Sequence, residues 1–280
     1  MALDGILVAS GASIALNTSY VLQHGGLVSA PELHAQRPVE SLRSLLRSRR
    51  WLSGALLGYL GLVFELFAMT LAPLWAVQCV LAVGLVVVLA VWSNARGRSD
   101  SASMLPAALL LGAGLFALAL TGAGGRAGVT AGPLALGGLG IAAATLAAAV
   151  LARHDVGGAA RNGIAAGVLY GATTIGFAAV ITALRAPVLD GWLIVTAATL
   201  AISTTIGGFC CFQRGLQAGE PIAVVTTMTA GMNAVAIAGG LLLGGSTGLA
   251  GLTLVVEGLG LLAICASGAV AARALSVRQV

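Results

Sequence analysis

Apolar stretches of about 17–25 residues, the length that crosses a bilayer as a helix, recur along this chain with short polar connections between them. No soluble fold covers so much apolar surface: hydrophobic residues make up 59% of the 280 positions and charged residues 8%, against roughly 25% charged in a soluble domain. Strand-like alternation is missing, which leaves helices rather than a β-barrel. The expected fold class is therefore all-α, a polytopic membrane helix bundle.

Nine spans are expected, at about 3–22, 51–70, 73–92, 104–121, 132–152, 162–184, 191–212, 221–243 and 248–271. Pro73, Pro106, Pro133, Pro187 and Pro221 fall at or just before span starts, where a missing backbone N–H costs little. Trp51, Trp75, Trp92 and Trp192 fall near span ends, as interfacial aromatics do. The first span opens MALDGIL, with Asp4 in place of a basic leader, and reads as a retained helix.

Charge sets the expected orientation. All fourteen basic residues are arginine. With the N-terminus outside, Arg126 and Arg185 face out and the other twelve face in, which satisfies the positive-inside rule. The chain is thus expected in the cytoplasmic (inner) membrane with a cytoplasmic C-terminus. A net charge of +5 then needs no nucleic-acid partner. The basic run VESLRSLLRSRR (39–50) reads as a short amphipathic segment on the inner leaflet.

Within this oily chain two acids stand out, Glu65 and Glu257. A carboxylate near the bilayer centre costs about 2.5–3.5 kcal/mol on insertion scales, so such residues usually face protein or a watery path. Gly54, Gly58, Gly61, Glu65 and Ala68 form one helical stripe, which lets a second helix approach and turns Glu65 inward. Glu257 shares a face with Ser246, Ala250, Thr253 and Gly260. Each acid is a candidate proton-titrating or cation-binding group, or a structural clamp between helices.

The first span carries a polar row, Ser10, Ser13, Asn17, Tyr20 and His24, at spacings of three and four. Cavity lining is the expected role, with His24 read as interfacial. Span eight repeats the pattern with Thr226, Thr229 and Asn233; span seven offers Thr196, Ser203 and Gly207. Gln78 reads as the partner of a helix break near Pro73. The expected substrate or coupling-ion cavity comprises Ser13, Asn17, Tyr20, Glu65, Thr229, Asn233 and Glu257, the two acids serving as metal ligands if a divalent cation is carried. Cys79, Cys210, Cys211 and Cys265 lie in apolar spans without ligand spacing and read as small core residues. No nucleotide, zinc-protease or Ser/His/Asp motif is present, so neither an enzyme nor a cofactor is expected.

GILVASGAS (5–13) is similar to GIAAGVLYG (163–171), and Trp51 and Trp192 each open the following span. This suggests two related halves, 1–152 and 162–280, joined by a cytoplasmic loop at 153–161; such repeats are common in secondary transporters. The segments AMTLAPLWAVQCVLAVGLVVVLAV (68–91) and QRGLQAGEPIAVVTTMTAGMNAVAIAGGLLLGG (213–245) resemble the drug/metabolite transporter superfamily, in its small-residue helices and Ala/Gly-Pro turns. The nine spans and APLWAVQ resemble its NIPA-like magnesium transporters; the EamA-type metabolite exporters are the other relatives. LLLGGSTG (241–248) lacks the Gly-Glu pair that EamA-type sequences often carry. The resemblance implies alternating access by a small solute or cation. Two other readings fit the same residues, a membrane scaffold for an envelope-assembly enzyme and a lipid-linked intermediate flippase. A homodimer or a membrane partner protein is compatible with each.

The orientation is directly testable. A cysteine replacing Arg126 should react with a membrane-impermeant thiol reagent from outside, in a background cleared of native cysteines, whereas one replacing Arg98 should not. The reverse labelling pattern would overturn the N-out arrangement.

Overall fold

The computed structural model describes residues 2–28, 45–71, 132–153, 158–187, 189–219 and 221–243, with helical positions at 43, 77, 80–81, 84, 106, 109–114, 116–117 and at several places within 255–270. The described chain is all-helical, and among the described residues there are no strands. Its continuous helices are α1 (Ala2–Leu27), α2 (Arg49–Leu71), α3 (Pro133–Leu151), α4 (Gly158–Arg185), α5 (Gly191–Ala218) and α6 (Pro221–Leu243). Four of them are long and apolar enough to cross a membrane, at Asp4–Leu27, Pro133–Leu151, Gly158–Leu184 and Gly191–Ala218. The expected spans at 73–92, 104–121 and 248–271 lie largely outside the described residues.

Helix starts follow the local chemistry. Pro133 and Pro221 open α3 and α6, at positions whose N–H groups have no partner within the helix. Asp190 precedes α5 in extended conformation, and its carboxylate accepts the Leu193 N–H at 3.0 Å, an ordinary N-cap.

Small residues then decide which helices touch. In α2 the stripe Gly54, Gly58, Gly61 and Ala68 lies against α1, as the sequence spacing predicts. A Cβ on Gly54 would stand 2.8 Å from the Gln23 backbone nitrogen and 2.9 Å from the Ser19 carbonyl oxygen. Gly26 faces Trp51, Gly58 faces Ser19 and Gly61 faces Leu16, so α1 and α2 run antiparallel in one continuous register. Beyond α2, Ser13 meets Leu81 and Gly84, while Ala9, Ala68 and Val77 form a buried cluster.

A second group is built in the same way. One side of α4 puts Gly163, Gly167 and Gly171 against Val224, Met228 and Met232 of α6, the two helices running parallel. The other side packs antiparallel on α5, with Gly176 against Ala197 and Ala201 and Gly208 beneath the Tyr170 ring. Thr173 and Thr204 share a hydroxyl–hydroxyl bond of 2.8 Å, and Thr205 donates to Thr173 at 3.3 Å. α3 packs on α4 and α5 from the periphery. Over their most apolar windows α4 is 61% buried and α3 is 17% buried, which makes α4 the centre of this group.

The outward faces are apolar. Leu134, Ile141, Leu184, Trp192 and Ile206 are exposed, positions where a water-soluble protein would place charge. Trp192 is 78% exposed near the start of α5, in keeping with an interfacial aromatic, but Trp51 is 5% exposed. The expected interfacial role fails for Trp51 because its indole is drawn into a contact between helices.

Gly54→Val should cost about 1–3 kcal/mol, the usual penalty for overpacking, since the new side chain would meet α1 backbone. Gly137, which has open space around its Cβ position, should tolerate the same change. Thermal unfolding of both variants in detergent checks the contrast.

Candidate functional site

The polar row on α1 does not act as one surface. Ser10 donates back to the Ile6 carbonyl at 2.9 Å. Ser13 is buried and donates to the Leu81 carbonyl at 3.3 Å. Asn17, also buried, donates to the Ser13 carbonyl at 2.8 Å and to the Ser13 hydroxyl at 3.2 Å. Tyr20 meets Phe212 of α5 edge to face, with ring centroids 5.5 Å apart and planes at 75°. The upper part of the row thus faces the first helix group and the lower part faces the second.

His24 departs from its expected interfacial role. It is buried, and its Nδ1 stands 2.6 Å from the Leu216 carbonyl oxygen. A carbonyl can only accept, so Nδ1 carries the hydrogen and the tautomer follows from the bond. Close by, the Trp51 indole N–H donates to Gln213 Oε1 at 2.9 Å. Because an indole N–H can only donate, this bond fixes the orientation of the Gln213 amide. Its Nε2 then donates to Gln23 Oε1 at 2.9 Å. Gln217 Nε2 donates to the Leu27 carbonyl at 3.4 Å. Three helices, α1, α2 and α5, are tied together within one turn of each other.

An apolar layer surrounds these bonds. Val21, Leu27, Leu45, Trp51, Ala166 and Phe212 belong to one cluster with Leu216, Val224, Val225 and Met228, flanked by Tyr20 and Tyr170. This cluster joins the two helix groups. Gln23, Gln213 and Trp51 are buried, and a buried amide without partners would carry a desolvation cost of about 1–3 kcal/mol.

Arginines ring the same end. Arg49 and Arg50 start α2, Arg161 lies in the first turn of α4, and Arg214 lies four residues before Ala218, the end of α5; Arg49, Arg50 and Arg214 are exposed and Arg161 is half-buried. The Arg50 guanidinium reaches over Gly25 near the C-terminus of α1, where the helix dipole favours a cation. Arg161 Nη1 donates to the Arg153 carbonyl at 3.2 Å.

Glu65 is half-buried on the glycine stripe of α2, one turn past Gly61, which packs on Leu16. Tyr20 and Tyr170 of α4 flank the same apolar cluster. Thr229 is half-buried on α6. Its neighbour Thr227 is the residue that links helices, donating to Ala223 at 2.6 Å and reaching the Ala160 carbonyl of α4 at 3.3 Å. Asn233 lies on α6, but its side chain is outside the described residues, as is Glu257 altogether. Of the expected cavity residues, the structure therefore groups Ser13 with Asn17. The expected face of span seven is not the packed one: Ser203 is exposed, whereas Ala197, Ala201, Thr204, Gly208 and Phe212 are buried. Cys210 and Cys211 are free thiols, the first exposed. Among the described residues no three His, Cys, Asp or Glu side chains gather as a metal set.

Gln23, Gln213 and Gln217 were not singled out as site residues by sequence reasoning. A detectable signal existed, since glutamine inside or at the end of an apolar span needs a hydrogen-bond partner, but its partner is set by packing 190 residues away. No family model, curated protein or solved structure matches this chain.

Trp51→Phe keeps the ring in the core and removes one indole N–H. It should lower stability by about 0.6–1.7 kcal/mol, the range for hydrogen bonds between membrane helices. Trp192→Phe should change it by less than about 0.5 kcal/mol. Denaturant titration of the two purified variants makes the comparison.

Proposed function

We propose that the chain is a multi-pass secondary transporter of the inner membrane, of the drug/metabolite superfamily kind, moving a small solute or cation by alternating access. What supports this reading is that each proposed half pairs its leading helix antiparallel with the following one. α1 pairs antiparallel with α2 and meets Leu81 and Gly84 beyond it; α4 pairs antiparallel with α5 and parallel with α6. Both centres open on the similar stretches GILVASGAS (5–13) and GIAAGVLYG (163–171). Two related halves around a shared seam are the framework on which secondary transporters rock.

Helix directions fit the order of spans in the nine-span arrangement. α1 and α5 run parallel at their contact, since Tyr20, Gln23 and Leu27 meet Phe212, Gln213 and Gln217 in rising order. Spans one and seven must share a direction in that topology. The ring of arginines at the C-terminal ends of α1 and α5 suits the cytoplasmic side.

The cavity would lie on the far side of the Tyr20–Phe212 contact from the arginine ring. Tyr20 would bound it from the first half, with Asn17 and then Ser13 and Glu65 above it, and Thr229, Asn233 and Glu257 from the second. Glu65 carries the proton or neutralises a cationic solute; its place on a glycine-lined helix face supports that role over lipid contact. A divalent cation such as Mg²⁺ would keep several of its waters and need few carboxylates.

Proteoliposomes with an entrapped pH-sensitive dye, challenged with a panel of divalent and small organic cations, test this reading. Wild-type protein should respond to at least one cation. Glu65→Gln and Glu257→Gln should each abolish the response while the yield of folded protein stays unchanged. Loss of folded protein in both variants would instead mark the two acids as helix clamps and overturn the transport assignment.

A further inference from the structure

We infer that the Gln23–Gln213–Trp51 chain, with the His24 and Gln217 bonds beside it, is the gate that closes the arginine-ringed end of the bundle. The inference rests on the transporter reading and adds to it which residues seal the pathway and which conformation the structure represents.

The two helix groups touch at one end. The cluster that joins them takes residues 20–27 of α1, Leu45, residues 51–55, residues 159–170 of α4, residues 209–216 of α5 and residues 224–228 of α6. All lie toward the arginine-ringed end. Among the described residues the other apolar clusters each stay within one group: Ala9, Ala68 and Val77 in the first, and in the second Leu136, Ala143, Ile175, Ala179, Ala197 and Leu200, together with Ala165, Val168 and Leu169 from the first half of α4. Ala9 lies eleven residues before Tyr20, about 16 Å along a helix that rises 1.5 Å per residue. Over that length the described packing of α1 is with its own group.

The bonds at the seam join helix ends. His24 sits in the last turn of α1 and donates to the Leu216 carbonyl in the last turn of α5. Gln217 sits in the last turn of α5 and donates to the Leu27 carbonyl at the end of α1. The last four carbonyls of a helix have no partner within it. Each helix therefore caps the other's C-terminus, so the ends are satisfied when the seam is shut. When it opens, the same carbonyls and amides face the arginine-ringed mouth, where water can replace every bond. A permanent fastening needs no such exchange, whereas a gate does.

The aromatic contact lies directly inside these bonds, where Tyr20 meets Phe212 with Tyr170 beside them. The structure is thus the conformer shut at the arginine-ringed end.

Pairs of spin labels read the gate without any substrate. With the four native cysteines replaced, one pair is placed at the exposed positions Val28 and Ala218, at the ends of α1 and α5, and another at Ile6 and Val195 near their starts. Wild-type protein should give a short distance for the first pair as its main population. Gln213→Leu should raise the longer-distance population of that pair by about tenfold, corresponding to about 1.4 kcal/mol, and shorten the distance between Ile6 and Val195 in step. Trp51→Phe, which keeps the core filled, should move both pairs in the same direction by less and serves if Gln213→Leu does not fold. Unchanged distances in the folded variants would make the seam a static clamp and overturn the inference. Opening at Val28–Ala218 without closing at Ile6–Val195 would overturn it too. Because no flux is measured, a chain that carries no cation would fail in the liposomes and leave this readout to decide the motion separately.

Discussion

Everything in this bundle depends on backbone meeting backbone at small residues. Lipid tails are as apolar as leucine, so membrane helices gain little by hiding apolar side chains from them and associate through close packing instead. Gly54 and Gly61 bring α2 onto α1, and Gly163 and Gly167 bring α4 onto α6, at separations that leave no room for a Cβ. These contacts make α1 and α4 the two centres of the structure. The apolar outer faces then need no partner other than the bilayer.

Close packing within each group leaves the contact between groups to different chemistry. There the helices meet through Tyr20 on Phe212, an amide chain from Gln23 to Trp51, and helix ends that cap each other. The glycine interfaces are made of many dispersion contacts that fail together. The seam adds a few side-chain hydrogen bonds to the apolar cluster around Trp51 and Phe212.

Much of the packing was legible in the sequence. The stripe from Gly54 to Ala68 foretold the face of α2 that meets α1, because small residues at helical spacing mark a close approach whatever the partner. The all-α class followed from apolar length alone. The polar row on α1 was legible as a row and misread as one surface. Ser13 and Asn17 turn to the helix's own group, while Tyr20 and His24 turn to α5. Spacing says which side chains share a face and is silent about how many neighbours divide that face between them.

The sequence by itself determined that the chain is helical, that its helices are of membrane length, and which faces admit close neighbours, because these depend on local composition and on periods of three and four. Only the tertiary structure decided that Gln23 and Gln213, 190 residues apart, share a hydrogen bond, that Trp51 is a buried donor rather than an interfacial ring, and that the two helix groups join at their arginine-ringed end. The physical reason is the same in each case. A buried polar group must find a partner, and the chain states the need locally while only the packing of distant helices supplies the partner.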